Sequence, residues 1–355
     1  MPVWAFGLPA FGAALLAASF FLPMSAWLAA ACALSLIGAV VAAVHHAEVV
    51  AHRVGEPFGT LVLAVAITVI EVALIVSLML AGGPDTATLP RDTIYSAVMI
   101  ICTGVVGICL LAGGLSHHEQ SFRLEGTNSA LAALVALAGL SLVMPTFTTS
   151  SSVGTYTLSQ LFFVAASSLA LWAVFVFVQT VRHRDYFLPQ QGASDEGVHA
   201  LPPSRPAAWA SFGLLSVSLV VVVGLAKQLS PVIEAAVVTA GAPKAVIGIA
   251  IALLVLLPET WAAVRAARAN RLQTSMNLAL GSALASIGLT IPAVVVTATL
   301  LDLPLVLGLD PKDLVMLALS FLVSTFTLGT GRTNVMQGAV HLVLFAAFLF
   351  LSLVP

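Results

Sequence analysis

The sequence predicts an all-α polytopic membrane protein of about eleven transmembrane helices. One extra N-terminal helix precedes two five-helix repeats of inverted topology. Three observations predict this. Apolar residues make up 60% of the chain and charged residues 8%, against roughly 45–50% and 25% in soluble domains. Stretches of about twenty apolar residues, the length that crosses a bilayer core, recur from end to end with short connections. Acidic residues and small-residue motifs recur five spans apart. A mean hydropathy of +1.10 excludes a soluble globular protein, a disordered chain and a nucleic-acid binder. The formal net charge of −2 implies no polyanion partner; the partner is the lipid bilayer, and oligomerisation stays open.

The spans run roughly over 4–22, 25–44, 57–80, 93–113, 127–146, 157–181, 208–228, 243–264, 274–299, 313–329 and 333–353. The first has no basic n-region before it, so it reads as a helix and not as a signal peptide. The polar stretch 182–207, rich in Pro, Gly and charge, reads as a flexible cytoplasmic linker. It separates a first repeat, 24–181, from a second, 208–355, with the extra helix in 1–23. Cys32, Cys102 and Cys109 all fall in apolar stretches, which argues against a disulfide framework.

The repeat is carried by particular residues. Glu48 lies just after span 2 and Glu71 follows within span 3; Glu234 lies just after span 7 and Glu259 follows within span 8. YSAVMI from Tyr95 in span 4 corresponds to GSALAS from Gly281 in span 9. Five spans separate each feature from its mate. An odd offset turns a helix over in the membrane, so the repeats are inverted, as in transporters whose site lies at midplane between repeats.

Glu71 and Glu259 sit deep in apolar helices, where an ionised group is expensive and normally faces a cavity or a partner. With these boundaries no Lys or Arg lies mid-span to neutralise them. The balancing charge is then a bound cation or protons, and two carboxylates with oxygen-rich neighbours suit a hard cation such as Ca²⁺. Pro258 removes a backbone donor beside Glu259 and is expected to loosen the helix near residue 254. Ser282, Ser286 and Thr290 share one face of span 9, and Asp92, Ser96 and Thr103 a similar stripe of span 4; either face can line the site or simply allow close packing. HHAEVVAHRVGEP, from His45 to Pro57, reads as a solvated interfacial turn in which Glu48 is the strongest proton-path candidate and Glu234 its mate. His341 and Arg332 read as interfacial anchors of the last span.

These motifs resemble a known family. AEVVAHRVGEPFGTLVLAVAITVIEVALIVSL is similar to the first α-repeat of the Ca²⁺/cation antiporter superfamily, in its Ca²⁺/H⁺ exchanger branch, and LLPETWAAVRAARANRLQTSMNLALGSALASIGLTIPAV to the second. HAEVVAHRVGEP, RDTIYS and the C-terminal GRTNV segment are most similar to bacterial ChaA-type antiporters. The resemblance implies that Glu71, Glu259 and Ser282 bind the cation, and that Glu48 and Glu234 are the acidic residues preceding each repeat. Ile67-Thr68 and Leu256-Leu257 stand where the family carries Gly-Asn, an amide is missing near Ile101 and Ala285, and the acidic run of the central loop is reduced to Asp195-Glu196.

The expected function is secondary antiport at the bacterial cytoplasmic membrane, Ca²⁺ leaving in exchange for H⁺. The expected metal ligands are Glu71, Glu259, Ser96, Ser282 and Ser286, with Glu48 and Glu234 on the proton path, and no cofactor or enzymatic activity is expected. Na⁺ or K⁺ exchange on the same architecture and a cation-selective channel are the alternatives. Nine Arg (53, 123, 182, 184, 205, 265, 268, 271 and 332) fall on one side of the spans, and Arg91, Lys227, Lys244 and Lys312 on the other. The positive-inside bias puts the N-terminus and the linker in the cytoplasm and the C-terminus outside. A C-terminal reporter active only in the cytoplasm is expected to stay silent; activity there would mean a wrong helix count or a reversed orientation.

Overall fold

A backbone in hydrocarbon must satisfy its own hydrogen bonds, and the apolar runs do so as helices. The structure, a computed structural model, describes residues 2–55, 58–188 and 203–354. In chain order the long helices are α1 (Val3–Phe21), α2 (Ala26–Val54), α3 (Phe58–Gly82), α4 (Leu89–His117), α5 (Leu124–Phe147), α6 (Leu158–Arg182), α7 (Arg205–Thr239), α8 (Ala245–Arg268), α9 (Leu272–Leu300), α10 (Pro311–Leu328) and α11 (Val335–Leu353). Within them lie eleven stretches long and apolar enough to span a membrane, as the sequence predicts. All three cysteines are buried free thiols. The centre of the linker, with Asp195 and Glu196, lies outside the described residues, as do Glu56 and Pro57.

Two helices run about ten residues past the predicted ends of their spans. α2 has 29 residues and α7 has 35, roughly 44 and 52 Å at 1.5 Å per residue, against a hydrocarbon core of about 30 Å. The stretch from His45 to Val54 is therefore helix and not a turn, ended by Gly55 at φ 79°. Glu48 and Glu234 lie inside the last turns of α2 and α7 and not after them, and Lys227 lies within α7, its side chain exposed. The reason is general: hydropathy registers where a chain leaves lipid, whereas Ala, Glu, Gln and Lys continue a helix beyond it.

The chain divides into two compact units, each drawing on both of the segments 24–181 and 208–355 that the sequence predicts as repeats. One comprises Met1–Ala87 and Val198–Ile247, and so holds α1, α2, α3 and α7. Here α2 packs against the other three. Its inward face, Cys32, Ser35, Ala39, Ala43 and Ala47, is small, which lets helix backbones approach closely. Ser77 Oγ donates to Val223 O at 3.0 Å, fastening α3 to α7. His46 is fully buried, with Nε2 2.9 Å from Ala5 O and Nδ1 3.2 Å from Ser211 Oγ. It is a hydrogen-bonded core residue linking α1, α2 and α7, not a solvated one.

The other unit comprises Thr88–Gly197 and Gly248–Pro355. α9 packs on α4, α5 and α6, and α11 packs along α4. The α4–α11 seam is tight because glycines line it: a Cβ on Gly107 would lie 3.0 Å from His341 Cβ, and one on Gly338 would lie 2.8 Å from Leu111 Cα. Before this close contact α4 widens into a π-helical turn over Ile100–Val105, where Gly104 faces the Phe345 ring. A two-residue antiparallel pairing, β1 (Gln120–Ser121) with β2 (Arg332–Thr333), ties the segment after α4 to the segment before α11.

Candidate functional site

In the first unit Glu71 is only 3% exposed, on the same face of α3 as buried Thr68, Leu74 and Leu78. A carboxylate on a span this apolar is thus turned into the protein and away from lipid. Glu234 on α7 is half-buried, and its Oε1 would lie 2.7 Å from a Cβ placed on Gly82. The absence of a side chain at Gly82 seats the Glu234 carboxylate at the end of the helix that carries Glu71. Eleven residues separate 71 from 82, about 16 Å along the axis. One ion cannot touch both carboxylates across that distance in this arrangement. Glu48, on the last turns of α2, is exposed.

In the second unit Glu259 is half-buried on α8. Pro258 does not break that helix, which runs continuously from Ala245 to Arg268; Thr260 Oγ1 donates to Leu256 O at 2.7 Å through the turn where proline removes a donor. The expected opening near residue 254 is therefore confined to the lost N–H. α8 is anchored to α4 at both ends. At its start Gly248 admits the Asp92–Thr93 backbone, 2.8 Å from where a Cβ would be. At its finish Gln120 Nε2 and His117 Nε2 each lie 2.9 Å from a carbonyl oxygen, those of Ala267 and Arg268. The helices thus run parallel. Glu259 lies eleven residues after Gly248 and nine before Arg268, about 16 Å and about 14 Å from the two anchored ends.

The members of the predicted span-4 stripe have different partners. Ser96 is buried and donates its hydroxyl to Asp92 O. Thr103 is buried and donates to Met99 O. Asp92 is not a lining residue. It accepts from Arg91 Nε at 2.8 Å and from Thr88 Oγ1 at 3.1 Å, while Arg91 also donates to Gly308 O at 2.8 Å and lies 3.5 Å from Asp310. The adjacent Arg91-Asp92 pair was the signal for this buried ion pair. On α9, Ser286 and Thr290 are buried and Ser282 is half-buried, on one face at four-residue spacing. Arg332 pairs with Glu119 at 3.3 Å on the surface. His341 is fully buried and is no interfacial anchor: Nδ1 lies 2.7 Å from Cys102 O and Nε2 2.7 Å from Thr327 Oγ1. Sequence reasoning missed this bond because only tertiary packing brings Cys102, Thr327 and His341 together.

Comparison with known proteins decides the family. A model of the sodium/calcium exchanger proteins matches residues 24–181 and 210–354. The chain belongs to the sodium/calcium exchanger family. The match leaves the first helix and the whole 182–207 linker outside it. Among exchanger relatives, the chain is 49% identical over 359 residues to y4hA of Sinorhizobium fredii, which bears a provisional name as an ionic transporter, covering 100% of this chain and 97% of that one. It is 37% identical to the sodium-potassium/proton antiporter ChaA of Escherichia coli, over 89% and 87% of the two chains. The solved structure of native YfkE aligns with a TM-score of 0.75 at 19% identity, covering 99% and 100%, which shows a shared exchanger fold.

The separation of Glu234 from Glu71 makes a prediction. Glu48→Gln and Glu234→Gln are expected to shift the pH dependence of transport while changing apparent cation affinity less than about threefold. Transport rate against pH at several cation concentrations measures both. A large affinity loss without a pH shift would make these carboxylates ligands.

Proposed function

We propose that this exchanger is a cation/proton antiporter of the bacterial cytoplasmic membrane, N-terminus inside and C-terminus outside, exporting Ca²⁺ in exchange for H⁺ by alternating access. The observation that carries the reading is Glu71, a carboxylate buried on an apolar span, with Glu259 as its mate at the corresponding place of an inverted repeat. Bare ionised carboxylates are costly there. Either a cation or protons neutralise the pair, and the two states exclude each other. Ser96, Ser282 and Ser286 add oxygen ligands, and Glu48 and Glu234 pass protons to and from the water. Exporting Ca²⁺ against the potential costs about 4.6 kcal/mol per 100 mV for its two charges; exchange for two protons cancels that electrical term.

A second reading, Na⁺ or K⁺ exchange on the same residues, is favoured by the 37% identity to a relative named a sodium-potassium/proton antiporter and by the missing amides near Ile101 and Ala285. Loss of neutral oxygen ligands weakens a site for Ca²⁺, which takes six to eight. The more distant relative from Aphanothece halophytica, 26% identical, is named a Ca²⁺/H⁺ antiporter.

Everted vesicles with an imposed ΔpH, tested against Ca²⁺, Na⁺ and K⁺, distinguish these readings. Uptake of Ca²⁺ driven by ΔpH is expected, with Glu71→Gln and Glu259→Gln each losing at least tenfold of the rate at normal membrane levels, since a neutral amide is cheaper to insert than a charge. Uptake indifferent to ΔpH would indicate a channel, and near-normal exchange by Glu71→Gln would remove the site assignment.

A further inference from the structure

The end of α8 and the turn after it carry three arginines, Arg265, Arg268 and Arg271, at three-residue spacing. Cations near a helix C-terminus commonly bond its last carbonyls. Here other groups do so. Arg265 O accepts from Ala269 N at 3.1 Å, Ala266 O from Arg271 N at 2.9 Å and Ala267 O from Asn270 N at 3.1 Å, with Asn270 turning the chain at φ 57°. Gln120 Nε2 is a second donor to Ala267 O, and His117 Nε2 lies 2.9 Å from Arg268 O. The carbonyls from Arg265 to Arg268 are thus satisfied without any guanidinium. Arg265 and Arg268 are exposed and Arg271 is half-buried. Among the described residues none of the three has an acidic partner, and Glu119 nearby pairs with Arg332. Like charges this close on a helix repel, and an anion between them removes the repulsion.

The residues leading up to the arginines decide which anion fits. Leu253, Leu257 and Trp261 are 38%, 51% and 68% exposed at four-residue spacing. Arg265 continues the row and Arg268 follows three residues on. One face of α8 therefore passes from exposed leucine through tryptophan to arginine. Exposed leucines on a membrane span meet acyl chains, and tryptophan is the side chain of the membrane–water interface. The arginines stand one to two turns beyond it, at the level of lipid phosphates. A soluble anion has no use for the apolar row. Glu259 lies two residues from both Leu257 and Trp261, on the other side of the helix.

We propose that Arg265 and Arg268, with Arg271 beside them, bind the phosphate of an anionic phospholipid whose acyl chain lies along Trp261 and Leu257. A zwitterionic lipid brings its own cation to the arginines and gains less. Each arginine near the membrane surface favours an anionic headgroup about fivefold. The assignment goes beyond antiport and holds whichever cation is exchanged.

Brominated lipids, which quench tryptophan on contact, test this with the full-length protein in vesicles of phosphatidylcholine and phosphatidylglycerol. Trp261 is the one tryptophan of α8, and the emission lost in Trp261→Phe reports it. That emission is expected to be quenched by brominated phosphatidylglycerol at a mole fraction roughly tenfold or more below that needed of brominated phosphatidylcholine. Arg265→Gln/Arg268→Gln is expected to abolish the preference, and Arg265→Lys/Arg268→Lys to keep it, because charge carries it. Equal quenching by the two lipids, or a preference untouched in the glutamine pair, would overturn the proposal. Loss of the preference on adding inorganic phosphate at constant ionic strength would also overturn it, since the arginines would then hold a soluble anion. If the glutamine pair fails to fold, Arg268→Gln alone serves: a preference reduced about fivefold supports the headgroup, and an unchanged one overturns it.

Discussion

An ionised carboxylate inside hydrocarbon costs several kcal/mol unless something neutralises it, and Glu71 and Glu259 each place one on an apolar span. The proposed exchange makes that charge tolerable in two alternative ways, by a cation or by protons. Glu71 is turned inward on α3, against the small-residue packing of α2 and α7. Glu259 stands on a helix fastened to α4 at both ends and continuous through Pro258. A group that is expensive to leave charged and must not be permanently neutralised can exchange one neutralising partner for another, and coupled exchange requires that property.

In the proposed function the extended helices α2 and α7 are where protons, and not cations, are handled. Their last turns carry Glu48 and Glu234, where water can reach a carboxylate. Gly82 seats Glu234 against the end of α3, about three helical turns from Glu71, so the two carboxylates on one packed pair of helices lie at different depths. In the other unit the glycine-lined α4–α11 seam runs along the π turn of α4, where His341 meets the Cys102 carbonyl.

Much of this was legible in the residues themselves. Apolar run length marks eleven spans because the bilayer core sets a length that sequence must match, and Glu71 and Glu259 stand out because charge is rare there. The ends of α2 and α7 were not legible: from His45 to Val54 the chain leaves lipid but keeps forming helix, and a hydropathy profile sees only the first change. The π turn at Cys102, the His341 bond and the inward turn of Asp92 onto Arg91 depend on neighbours far away in sequence. His46 and His341 both look like interfacial residues in the sequence and are both buried, because each meets its partners only after helices pack.

The claim that protons and cation compete for the same two carboxylates is tested most directly by calorimetry of cation binding to the purified protein, in buffers of different ionisation enthalpy and over a range of pH. Two protons released per Ca²⁺ bound are expected at the acid end of the range, with affinity rising as pH rises and the release reduced in Glu71→Gln and Glu259→Gln. Cation binding with no proton release at any pH, and an affinity independent of pH, would contradict the account.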